Sequence, residues 1–146
     1  MSNPSDPAEN ADRLTRRRAR VIVPLALIFG MQQASYFATN ANQRADHLRL
    51  SAWVVMGFAL LALLLSGGGW FRSSETRALM NDDVTRANRD RALTFGFTAA
   101  MGAGLVLYPF IDIWQVSARE AVHIIVSAGM VTALLRFSIL ERRSLA

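Results

Sequence analysis

The stretch that most limits what this chain can become is the charged interval 72–91, RSSETRALMNDDVTRANRDR, because apolar runs that water would reject lie in pairs on either side of it. The four runs occupy about 21–39, 50–71, 92–110 and 120–140. Roughly 20 residues of α-helix, rising about 1.5 Å each, cross a hydrocarbon core of about 30 Å. The expected fold is therefore all-α: an integral membrane four-helix bundle made of two antiparallel transmembrane hairpins, joined by a charged linker over 72–91. Composition agrees, with 52% hydrophobic and 18% charged residues, where soluble domains carry about a quarter charged.

Residues 1–13 show no apolar periodicity and read as a disordered cytoplasmic tail, followed by a membrane domain over 14–143. The basic segment Leu14–Arg20 leads into an apolar run too long for a signal peptide and without a cleavage site, so an uncleaved first span is expected. Arg13, Arg16, Arg17 and Arg20 share one helical face. Pro24 should bend this helix modestly. Asn40–Arg49 reads as a short polar turn that permits only an antiparallel return. Gly67–Gly69 predict fraying at the end of the second span, with Trp70 and Phe71 at the interface. In the linker, Ser73 or Ser74 and then Asn81 and Asp82 are candidate helix caps, and Asp82 and Arg86 stand at i, i+4. Ser117 and Glu120 have capping-box spacing ahead of the fourth span.

All 16 basic residues are arginine, and the net charge is +5. Most cluster in the amino-terminal segment, the linker and the carboxyl-terminal tail, and only Arg44, Arg49 and Arg119 fall in the two short turns. By the positive-inside rule both termini are expected in the cytoplasm, which places the chain as a multi-pass protein of the bacterial inner (plasma) membrane. Tyr36, Trp53, Tyr108 and Trp114 near one interface and Trp70 near the other give the same orientation.

Polar groups inside the runs need partners in lipid, so Gln32 and Gln33 should face neighbouring helices or a transport pathway. Gly96, Ala100 and Gly104 form a stripe of small residues that would let another helix approach closely, and Gly129 and Ala133 offer a second small pair. Arg136 is near enough to a boundary to snorkel, which leaves no ionisable group deep in a span and speaks against ion-coupled carriage. The two histidines, His47 and His123, would lie with Asp46, Asp112 and Glu120 near the outer surface, but in no metal-ligand spacing. No phosphate loop, nucleophile elbow or carboxylate pair is present, and no cysteine. The reading is of a non-enzyme without cofactor, catalytic residue or metal site.

The segment ETRALMNDDVTRANRDRA, leading into Gly96–Phe97 and a small-residue span, resembles small bacterial four-span membrane proteins of unknown function, with Asp83, Val84 and Thr85 matching an acidic-x-Thr start to a span. The likeness covers about a quarter of the chain, and no family site residue carries over. Such proteins are often encoded beside small helix-turn-helix regulators. The resemblance implies a membrane accessory or regulatory protein that binds such a partner, with Arg77, Arg86 and Arg89 of the linker as candidate contacts and no direct binding of nucleic acid. The alternative is a small oligomeric transporter or channel subunit built around Gln32, Gln33 and the small-residue stripes.

Overall fold

The computed structural model describes residues 7–37, 43–66 and 83–144, which form four helices: α1 (Pro7–Phe37), α2 (Gln43–Ser66), α3 (Asp83–Leu107) and α4 (Ala118–Ser144). A single 3₁₀ turn, Tyr108–Phe110, closes α3 at Pro109. The proline fits there because it has no amide hydrogen to donate and helices tolerate it near their ends.

Three of the four helices contain stretches long and apolar enough to cross a membrane: Leu48–Ser66, Asp83–Phe110 and Ala118–Ser144. The sequence led us to expect four, so the count among the described residues is corrected to three. In α1 the apolar part among the described residues is the shorter helix Arg20–Gln32, thirteen residues or about 20 Å of helix.

Three other boundaries move. The expected disordered tail over 1–13 is helical from Pro7, where proline suits a first turn and Ala8, Glu9 and Ala11 continue it. The expected turn Asn40–Arg49 is already helix from Gln43, so Asp46, His47 and Arg49 belong to the first turns of α2. The linker expected to reach Arg91 gives way to α3 at Asp83, whose carboxylate stands in the positively polarised first turn. Charged side chains do not stop a helix; they only stop it from being apolar. Pro24 sits inside a helix that continues on both sides of it. The linker caps Ser73, Ser74, Asn81 and Asp82, the glycines Gly67–Gly69, and Trp70 and Phe71 lie outside the described residues.

The core is a single cluster in which Ile22, Ala26 and Phe29 of α1, Leu60 and Leu64 of α2, Ala92 of α3, and Ala133, Leu134 and Phe137 of α4 are buried. Ile22, Ala26 and Phe29 fall at i, i+4 and i+7, one stripe of α1. Helix α4 lies at the centre, packed most extensively on α3 and next on α1. A large apolar surface remains outside, including Phe58, Phe97, Leu105 and Val106 at 65–77% exposure. On the same outward side of α3, Thr94 donates its hydroxyl to the Asp90 carbonyl and Thr98 donates to the Thr94 carbonyl, each at 2.9 Å. Such back-bonding satisfies a hydroxyl without water.

Candidate functional site

Helices α3 and α4 are antiparallel neighbours in a register set by four contacts. Asn88 pairs with Glu141, Gly96 faces Ala133, Ala100 faces Gly129, and Gly104 faces Ile125. Steps of eight, four and four residues along α3 are met by equal steps back along α4. Rows spaced by four on both helices therefore interlock, a packing that lets backbones approach where side chains are small. The sequence-singled residues Gly96, Ala100 and Gly104 are thus occupied within the chain, against α4.

The same row, followed toward the amino end of α3, runs through Ala92 to Asn88, and on α4 through Phe137 to Glu141. There the packing turns polar. Asn88 Nδ2 donates to Glu141 Oε1 at 3.4 Å, and Glu141 and Ser138 are 0% exposed, with Thr85 buried one turn from Asn88. A carboxylate without solvent needs donors around it, since burying an unpaired charge is costly. Sequence reading missed this group: the fourth apolar run was ended at about 140, which left Glu141 outside it. The signal that could have found it is the four-residue spacing 88, 92, 96, 100, 104, extended one step past the small residues.

Beside this cluster Arg89 donates from Nη1 to the Leu65 carbonyl at 2.9 Å and lies 3.8 Å from Asp90. Leu65 is in the last turn of α2, whose carbonyls lack helical partners and carry the negative end of the helix dipole. Of the three arginines proposed from sequence as partner contacts, Arg89 is thus engaged within the fold, Arg86 is exposed, and Arg77 lies outside the described residues. The carboxyl end of α2, the amino end of α3 and the carboxyl end of α4 meet at one end of the bundle, which also carries exposed Arg86, Arg91, Arg142 and Arg143.

Away from that end, Trp53 of α2 is stacked between two rings. His123 of α4 lies at 4.0 Å between centroids and 26° between planes, and Phe29 of α1 at 6.3 Å and 17°. His123 is 2% exposed, so the imidazole is packed between helices, with Trp53 joining it to Phe29 of α1. Asp112 is exposed in the turn before α4, while the side chains of Asp46 and His47 lie outside the described residues. Among the described residues no group of three or more His, Cys, Asp or Glu is placed to hold a metal. Gln32 is half-buried, and the side chain of Gln33 lies outside the described residues.

The turn into α4 is fixed by a reciprocal cap. Ser117 N donates to Glu120 Oε2 at 2.8 Å and Glu120 N donates to Ser117 Oγ at 3.3 Å, the capping box read from the sequence. Phe110 and Trp114 stack at 4.7 Å across the same turn, and Gln115 takes φ 48°.

No protein-family model, curated protein or solved structure matches the chain.

Proposed function

We propose that this is a multi-pass protein of the bacterial plasma membrane. Helices α2, α3 and α4 cross the bilayer in this reading, and the thirteen-residue apolar part of α1 enters it against α4. The end where Asn88 meets Glu141 faces the cytoplasm, because Arg86, Arg91, Arg142 and Arg143 gather there and arginine favours that side.

The function we assign is non-enzymatic: an accessory or regulatory subunit that holds a soluble partner at the cytoplasmic face, in keeping with the resemblance to small membrane proteins encoded beside helix-turn-helix regulators. The observation that carries it is the exposure of Arg86 beside an Arg89 already tied to α2, which presents a rigid, arginine-bearing helix start at the bundle's end. Affinity capture of the detergent-solubilised protein tests it. A soluble partner that co-purifies with the parent chain and is lost from the combined Arg77→Gln and Arg86→Gln variant supports it; capture that persists in that variant contradicts it.

A second reading, a small transport subunit, gains one observation. Glu141 is an ionisable side chain fully removed from solvent within an apolar bundle, and such groups mark proton and ion paths in membranes. Proton-coupled uptake in proteoliposomes that disappears in Glu141→Gln would favour this reading over the first.

A further inference from the structure

The guanidinium of Arg136 lies 4.4 Å over the ring of Phe95, on the side of the α3–α4 pair that faces outward, with Phe95 48% exposed. Its Nε is closed off from solvent and has no hydrogen-bond acceptor among the described residues. No carboxylate among those residues is shown pairing with it, and Asp90 of α3 lies 3.8 Å from Arg89 instead. The ring offers the charge partial compensation, since a cation over an aromatic face is attracted to it. A guanidinium is built for more: its planar donors match the paired oxygens of a phosphate.

Two further arginines stand along the same cleft. Arg91 precedes Phe95 by four residues on α3, and Arg143 follows Arg136 by seven on α4, so each projects from its neighbour's face. Both are exposed. With the two helices antiparallel, both lie toward the same end of the bundle, roughly 6 Å and 10 Å along the axis from the Arg136–Phe95 level. Charge therefore steps from a half-buried arginine in the cleft to exposed ones at its mouth.

We infer that this cleft binds the phosphate headgroup of an anionic phospholipid from the cytoplasmic leaflet, with Arg136 as the deep contact, Phe95 bracing it, and Arg91 and Arg143 at the rim. The inference rests on the membrane reading above. A lipid fits better than a soluble anion because the cleft opens sideways, between Phe95 and the outward apolar residue Ile139, 48% and 42% exposed. Acyl chains are the natural neighbours of such walls, and basic pockets between helices on the cytoplasmic side are a known form of headgroup recognition.

The test uses the full chain in neutral detergent, supplied with phosphatidylglycerol, phosphatidylcholine or inorganic phosphate, with lipid retention read by native mass spectrometry and thermal stability in parallel. Phosphatidylglycerol should be retained in preference to phosphatidylcholine and should raise the melting temperature. Arg136→Gln should weaken its retention about tenfold or more, the scale of one charge-assisted hydrogen bond, and Arg136→Lys should restore part of it. Equal retention of the two lipids, or retention unchanged in a folded Arg136→Gln, would overturn the inference. So would inorganic phosphate reproducing the whole stabilisation, which would mark a site for a free anion. Failure of the membrane reading itself shows separately, as release of the parent protein from vesicles by alkaline carbonate.

Discussion

Gly96 and Gly129 meet backbone to backbone: a methyl group added to Gly96 would stand 2.8 Å from the Gly129 carbonyl oxygen, and one added to Gly129 would stand 3.1 Å from the Gly96 carbonyl oxygen. This crossing brings α3 and α4 together, and it fixes how far Asn88 can lie from Glu141 and Phe95 from Arg136.

Gly96→Ala should therefore destabilise the bundle by about 1–3 kcal/mol, because the added carbon also meets Ala133 Cβ at 2.7 Å and the backbone must move to admit it. Gly102→Ala is the control, since nothing lies within 4 Å of its added carbon and alanine favours a helix by about 1 kcal/mol. Unfolding of the two variants in a titration with denaturing detergent measures the difference; equal stabilities would contradict the crossing.

At the polar end, Asn88→Leu should cost about 1 kcal/mol or more by withdrawing a donor from the buried Glu141 carboxylate. Glu141→Gln keeps an oxygen able to accept from Asn88 and should cost less. The same titration separates them. An Asn88→Leu protein as stable as the parent would mean that the 3.4 Å contact contributes nothing.

Arg89 and Arg86 should behave differently although they are one turn apart. Arg89→Gln removes the bond to the Leu65 carbonyl and should loosen the end of α2, seen as faster amide hydrogen exchange near Leu65. Arg86→Gln should leave that exchange unchanged and lower partner capture instead. Exchange that rises equally in both variants would contradict the assignment of separate roles.

Trp53 reports on the contact among α1, α2 and α4. His123→Ala removes the ring stacked at 4.0 Å and should cost at least about 1 kcal/mol, the worth of an aromatic pair, plus the cavity left behind. His123→Phe should retain most of the stability. If alanine and phenylalanine are equally tolerated, the stack does not hold these helices together.

The residues that sequence reading reached are those whose partners are local or whose spacing repeats. Ser117 and Glu120 are three residues apart, and their mutual cap could be read from that spacing alone. Gly96, Ala100 and Gly104 announce a close approach by their four-residue interval, but the interval does not say which helix approaches. What stayed hidden is contact across the chain: Asn88 with Glu141 lies 53 residues apart, and Arg89 with Leu65 lies 24 apart. Helix boundaries were drawn too short for a related reason. Arginine, aspartate and their polar neighbours were taken as a turn at 43–49, where the helix already runs and they mark only the end of apolar surface. In α1 the error runs the other way: a helix of 31 residues holds a shorter apolar part than its length suggests.

The crossing of a bilayer by α3 and α4 is the claim on which the functional readings depend, and the chain's lack of cysteine makes single-cysteine labelling in cells direct. Asp112→Cys places a thiol in the turn between the two helices, Arg142→Cys at the far end of α4, and Met101→Cys on the outward face of α3. With a membrane-impermeant maleimide, the thiol at 112 should react in intact spheroplasts, the one at 142 only after permeabilisation, and the one at 101 in neither. Labelling of 112 and 142 from the same side, or ready labelling of 101, would contradict it.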